Sequence, residues 1–181
     1  MNTSRQFDRV WRSLHWGMAL FMTVLLVAIE VKGGLPKGVA KTLLTEIHKQ
    51  LGVLVFLLCW GRIFWRFTRR LPPITPALGR LQTGISHVSH LLLYVVMLVM
   101  PALGVLFQQA RGNSVNFLGW TLPWIMNDDS GMQYAKTLKD LHETLGNMFI
   151  WLIVLHGAAA LYHHWIRRDD TLKRMLGSWV R

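Results

Sequence analysis

The chain alternates between long apolar segments and short polar connections. Four apolar segments, at residues 14–31, 51–67, 85–107 and 141–166, each approach the roughly 20 residues that a helix needs to cross a bilayer. Helix-breaking residues lie between them, in the stretches GGLPKG, RRLPPITP and NDDSG. The pattern predicts an all-α membrane protein whose residues 1–181 form a single four-helix transmembrane bundle.

Two polar stretches predict smaller elements. The third connection, residues 108–140, is the longest, and we expect it to be irregular with one short surface helix. The tail RRDDTLKRMLGSWVR is basic and amphipathic, so we expect it to lie on the inner membrane surface.

The composition agrees with a membrane protein, because only 16% of the 181 residues are charged, against about 25% in soluble domains. The formal net charge of +11 does not indicate nucleic-acid binding, because the orientation of a membrane protein explains most of the excess of basic residues. If the N-terminus is cytoplasmic, thirteen of the twenty basic residues lie on the cytoplasmic side. The positive-inside bias therefore predicts a multi-pass protein with both termini in the cytoplasm.

All eight histidines lie in or at the end of a predicted span: His15, His48, His87, His90, His142, His156, His163 and His164. Ionisable side chains within spans cost free energy, and they indicate function by default. His142 and His156 are 14 residues apart, which in an α-helix places them on one face, roughly 21 Å apart along the axis. His163 lies seven residues further and is predicted to remain on that face.

Histidines at several depths fit bis-histidine haem b better than zinc. Haem b takes one neutral imidazole on each side of its iron, commonly from two helices of a bundle. Small residues leave room for a porphyrin, since Gly52, Gly146 and Ala160 each follow a histidine by four residues. Zinc prefers ligands at short spacing, whereas these histidines are spread across the membrane. The single cysteine, Cys59, allows neither an internal disulfide nor CxxCH attachment of haem.

The alternating direction of the spans predicts which histidines meet. His48 and His142 both lie at the outer ends of their spans, so we expect them to hold an outer haem. His156 lies nearer the inner side, where His15, His87 and His90 are all available as its partner. Depth along the spans leaves the choice open between His15 and the two histidines of the third span.

A set of motifs resembles the bacterial cytochrome b-561 family, short four-helix di-haem cytochromes of the inner membrane. The motifs cover nearly the whole chain and are SLHWGM, EIHKQLGV, ISHVSHLLLY, LHETLGN, LHGAAALYHHW and DDTLKRM. The resemblance implies two haem b groups, with His15 and His156 as iron ligands of the inner haem. It implies His48 and His142 as iron ligands of the outer haem.

The best-matched members of that family are similar to superoxide oxidases, which implies a superoxide:ubiquinone oxidoreductase. Superoxide would be oxidised at the outer face, and ubiquinone would be reduced near the inner end. His163 matches the position associated with the quinone, while His164 points about 100° away and is expected to face lipid headgroups. We expect Lys49 and Lys139 to steer superoxide toward the outer haem.

A second class of function remains open, an electron-transfer module or subunit that takes electrons from a dedicated periplasmic or membrane protein partner. Cytochrome b subunits of hydrogenases and formate dehydrogenases serve in that way. Under both interpretations the protein lies in a lipid bilayer, binds haem iron and passes electrons to the quinone pool. His87 and His90 are then expected to contact a haem propionate, to support the ligands or to be satisfied polar groups.

Overall fold

The structure is a computed structural model that describes residues 6–69, 73–126 and 128–177, without the side chains of residues 128–130. Four helices are long and apolar enough to cross a membrane, which confirms the predicted all-α membrane fold. They are α1 (Arg9–Gly33), α2 (Val39–Thr68), α3 (Arg80–Ala110) and α4 (Asp128–Tyr162). A π-helical turn at His163–Arg167 continues α4, and the short helix α5 (Thr171–Leu176) follows.

The helices are longer than the apolar segments from which they were predicted. Polar residues at both ends continue the backbone hydrogen bonding beyond the apolar part, for example where the Asp8 carboxylate accepts from the Trp11 backbone N–H at 2.9 Å. As a result, His48 and His142 lie well inside α2 and α4 rather than at their first residues.

The prediction of a short surface helix in the third connection is wrong. Residues 111–126 are irregular apart from a small antiparallel hairpin, β1 (Asn116–Phe117) and β2 (Trp120–Thr121). The helical part of that connection is the first section of α4. The buried side chain of Gln109 fastens the irregular segment to α3, since it donates to the Pro123 carbonyl and accepts from the Ile125 N–H.

The bundle consists of two helix pairs. Helix α1 packs mainly against α2, and α3 packs mainly against α4, while α2 and α3 also contact each other. Met18, Leu25, Val55 and Cys59 form a buried cluster between α1 and α2. Many large apolar side chains point outward from all four helices, as expected where hydrocarbon rather than water surrounds the protein.

The two ends of the bundle differ. We call the end with the α1–α2 connection and the β1–β2 hairpin the hairpin end, and the end with Asp8 and α5 the tail end. At the tail end the indole N–H of Trp16 donates to the Met175 carbonyl at 3.0 Å, and Arg12 donates to the Leu176 carbonyl at 3.3 Å. The described part of the tail therefore packs against α1, and Trp179 of the predicted surface helix lies outside the described residues.

Candidate functional site

His48 of α2 and His142 of α4, which we call the hairpin-end pair, face each other between the two helix pairs. Their ring centroids are 6.2 Å apart and the rings are inclined at 78°. His48 Nδ1 lies 3.1 Å from the Leu25 carbonyl, and His142 Nδ1 lies 3.1 Å from the Met100 carbonyl. A carbonyl only accepts, so both Nδ1 atoms carry the hydrogen and both Nε2 atoms keep a free lone pair.

This spacing suits a metal ion bound between two imidazoles. An imidazole–metal bond is about 2.0 Å long, and a ligating nitrogen lies about 1 Å from its ring centre, so two axial rings stand about 6 Å apart. The 6.2 Å separation therefore leaves room for one iron atom between the rings. Among the described residues, no cluster of three or more His, Cys, Asp or Glu side chains forms a metal site of the zinc type.

A cavity of about 480 Å³ surrounds the hairpin-end pair. Its lining includes Gly52, Gly104 and Gly146, and a Cβ atom added at Gly52 would meet nothing within 4 Å. A Cβ atom at Gly104 would instead lie 3.2 Å from His142 Cε1. Glycine thus gives the cavity open volume beside His48 and allows the close approach of His142. These residues fit haem b, a flat and largely apolar group.

His15 of α1 and His156 of α4, the tail-end pair, repeat the arrangement at a second depth. Their ring centroids are also 6.2 Å apart, with the rings inclined at 72°. His90 lies on another side of His156, with ring centroids 5.5 Å apart, and its Nδ1 donates to the Ser86 carbonyl of its own helix at 2.6 Å. The structure therefore brings two of the predicted partners, His15 and His90, next to His156, and the ring contacts of the described residues do not include His87.

Arg62 is a functional candidate that the charge pattern of the sequence does not single out. That pattern places it among the thirteen basic residues of the cytoplasmic side, but its side chain lies inside the bundle and is only 9% exposed. Its Nη1 atom donates to His15 Nδ1 at 2.7 Å, so a neutral His15 carries its hydrogen on Nε2 in this structure, the reverse of the hairpin-end pair. The signal that identifies Arg62 is a charged residue within an apolar span, which by default indicates function.

Helix α4 is regular as far as Tyr162, and the π-helical turn begins at the next residue, His163. Its Nδ1 lies 2.5 Å from an Asp169 carboxylate oxygen, and Asp169 is 1% exposed. Burial alone would raise the pKa of Asp169, but hydrogen bonds from His163 and Thr171 outweigh it and the pKa is lowered. His164 is half-buried and its Nδ1 has no partner among the described residues.

The two predicted steering lysines line the cavity of the hairpin-end pair. Each is bound to a glutamate, Lys49 to Glu46 at 2.6 Å and Lys139 to Glu143 at 2.7 Å. Lys32 and Arg111 line the same cavity, and neither forms an ion pair within the described part of the chain. Among the described residues, the cavity lining without an ion pair therefore comprises two cations, Lys32 and Arg111, and one carboxylate, Glu30.

Comparison with known proteins places this architecture in a family. The family model of prokaryotic cytochrome b561 matches residues 6–178. The chain is 33% identical to cytochrome b561 homolog 1 of Escherichia coli K12 over 94% of this chain and 97% of the relative.

A second relative, named probable superoxide oxidase CybB of Yersinia pestis, is 31% identical over 90% of this chain and 91% of its own length. Cytochrome b561 homolog 2 of E. coli K12 is 30% identical over 97% of this chain and 94% of its own length. The family model and these relatives span nearly the whole chain, so the protein belongs to the prokaryotic cytochrome b561 family. Members of this family are multi-pass membrane proteins that transfer electrons and have haem b as cofactor.

Proposed function

We propose that the protein oxidises superoxide at the hairpin end and reduces ubiquinone at the tail end. Two superoxide ions give up one electron each and become two O₂ molecules, and one ubiquinone takes up two electrons and two protons to become ubiquinol. The observation that carries the proposal is the repeat of one 6.2 Å histidine pair at two depths of the bundle. The relative named probable superoxide oxidase supports the choice of donor.

Two haem b groups are part of the proposal, one held by the hairpin-end pair and one by the tail-end pair. When bound, haem supplies one-electron redox chemistry that no amino-acid side chain of this chain offers. His142 and His156 are separated by roughly 21 Å along α4, so the two sites together cover most of an apolar core about 30 Å thick. The main-chain carbonyls of Leu25 and Met100 hold the hairpin-end imidazoles in the tautomer that binds iron.

Superoxide needs an accessible anion-attracting surface rather than a deep pocket. Lys32 and Arg111 provide positive charge at the hairpin-end cavity that exceeds the single unpaired carboxylate of Glu30 in the same lining. Lys49 and Lys139 add a weaker contribution because glutamates partly cancel their charge. Opposite charge concentrated at a cleft raises the association rate of a small anion.

Ubiquinone is proposed to meet His163 at the tail end. Asp169 orients the imidazole through Nδ1, so Nε2 remains available to a quinone carbonyl. A protonated imidazole at that position donates a hydrogen bond to the carbonyl oxygen and delivers a proton as the quinone is reduced. The carboxylate of Asp169 holds the imidazole ring in place for this step.

The excess of basic residues at the tail end supports a proposed orientation in a bacterial inner membrane, with the tail end in the cytoplasm and the hairpin end in the periplasm. The bilayer then supplies ubiquinone laterally, and superoxide arrives from the aqueous periplasm. In this orientation, superoxide is oxidised and ubiquinone is reduced at opposite ends of the bundle.

A stopped-flow experiment tests the proposed donor and acceptor. Purified protein in detergent is mixed with superoxide in the presence of a soluble ubiquinone, and haem absorbance and ubiquinol are followed together. Rapid reduction with about one ubiquinol for two superoxide ions is the expected result. Slow reduction by superoxide, together with rapid reduction by a periplasmic protein, would establish the electron-transfer module instead.

A further inference from the structure

The guanidinium of Arg62 is buried beside the tail-end pair. Its Nη1 donates to His15 Nδ1 at 2.7 Å, and its Nε is buried with no hydrogen-bond partner among the described residues. Within that part of the chain Arg62 forms no ion pair with a carboxylate. The rings of Trp11 and Tyr94 cover it at 5.4 and 5.7 Å. Aromatic rings tolerate the charge without neutralising it.

The hairpin-end pair has the opposite surroundings. Both of its Nδ1 atoms donate to main-chain carbonyls, which make an imidazole a better electron donor to a metal. His15 has a permanent cation at the corresponding nitrogen, because an arginine side chain stays protonated in proteins. The two sites therefore share their ligand spacing but differ in the charge next to a ligand.

We propose that Arg62 is a positioning and charge-tuning residue that raises the reduction potential of the tail-end haem above that of the hairpin-end haem. The inference rests on the proposed ligation of both haems. A positive charge disfavours the oxidised, more positive state of a redox centre, and in a low-dielectric interior this effect is larger than in water. The resulting order of potentials favours electron flow from the hairpin end to the tail end, the direction that quinone reduction requires.

The hydrogen bond itself is not needed for this effect. A neutral imidazole that gives Nε2 to iron carries its hydrogen on Nδ1, and a guanidinium has no lone pair to accept it. The hydrogen bond between Arg62 and His15 is therefore lost when Nε2 of His15 binds iron, and Arg62 then acts on the tail-end haem through its charge alone. Because its surroundings are apolar and aromatic, water does not screen that charge as it would at a surface.

Redox titration of purified variants tests the role of Arg62. Arg62→Gln should lower one of the two haem midpoint potentials and leave the other unchanged, whereas Arg62→Lys, which keeps the charge, should stay close to the wild type. Arg66→Gln removes an exposed arginine one turn further along α2 and is the matched control. If Arg62→Gln retains both haems and both midpoints, the proposal is wrong.

A second measurement decides the question even if Arg62→Gln fails to bind haem. His142→Ala should leave only the tail-end haem, and His156→Ala only the hairpin-end haem. The midpoint of the haem that remains in His142→Ala should be the higher of the two, and a lower value would overturn the role of Arg62. Two haems retained in either variant would instead contradict the ligation on which the inference rests.

Discussion

The ring of His142 lies against the bare backbone of Gly104, where an added Cβ atom would be 3.2 Å from Cε1 of the imidazole. That distance is shorter than an ordinary van der Waals contact, and Nδ1 of the same ring donates to the Met100 carbonyl, one turn earlier on α3. The position of the imidazole therefore depends on the absence of a side chain at position 104.

Gly104→Ala is expected to disturb one haem and spare the other. The methyl group must displace the imidazole or the helix backbone, at a typical cost of about 1–3 kcal/mol for overpacking. We expect the absorption band of the hairpin-end haem to shift or weaken, while that of the tail-end haem stays unchanged. Gly61→Ala, on α2 where a Cβ atom meets nothing within 4 Å, is the control. An unchanged spectrum in Gly104→Ala would show that His142 is not a ligand held against α3.

The unpaired cations at the hairpin-end cavity should control how fast superoxide arrives. Steering raises association rates by roughly 10- to 1000-fold in total, so neutralising Lys32 or Arg111 should slow haem reduction several-fold. Lys49→Gln and Lys139→Gln should have smaller effects, because each lysine is paired with a glutamate.

Ionic strength provides a second readout of the same effect. The Debye length falls from roughly 30 Å at 0.01 M to 10 Å at 0.1 M, so the wild-type rate should drop with salt and the difference from Lys32→Gln should narrow. Lys136→Gln is the control, since Lys136 is exposed, paired with Asp140 and not part of the cavity lining. Rates of haem reduction that change neither with salt concentration nor with these substitutions would contradict electrostatic steering.

His163 should affect the quinone and not the haems. His163→Ala is expected to keep both haem spectra and to slow the reoxidation of reduced protein by ubiquinone. His164→Ala, at the next position, should leave reoxidation close to the wild-type rate. Loss of a haem in His163→Ala would identify His163 as an iron ligand, and normal reoxidation would exclude it from the quinone site.

Asp169 is expected to stabilise the tail end at neutral pH. Its folded-state pKa lies below the ordinary value of about 3.9, so its stabilising contribution is present above that value and is lost as pH falls through the folded pKa. The melting temperature of Asp169→Asn should therefore be lower than that of the wild type between pH 5 and 8, and this gap should shrink on acidification below about pH 3.9. A gap that is constant across this range would contradict an ionised Asp169.

Much of the fold was predictable from the sequence, because four apolar segments with helix-breaking connections allow few other arrangements in a bilayer. The shared face of His142 and His156 was predictable for the same reason, since α4 is regular between them. The π-helical turn that begins at His163 was not predictable, because nothing in the local sequence indicated it.

Other features depend on contacts between segments that are far apart in the chain. The carbonyl partners of His48 and His142 come from α1 and α3, and main-chain atoms leave no trace in a sequence pattern. Arg62 was counted as a surface charge, because only the packed bundle shows that its side chain turns inward. The glutamate partners of Lys49 and Lys139 lie three and four residues away, so helical spacing would have revealed them.

Haem content of the purified protein tests the central claim most directly. Quantification by the pyridine haemochrome method, combined with the low-spin absorption spectrum, should give two haem b groups per chain for the wild type. It should give one for His142→Ala, and two for His87→Ala, which removes an exposed histidine of α3. A wild-type protein with a single haem, or a His142→Ala variant that keeps two low-spin haems, would contradict the assignment of the two histidine pairs.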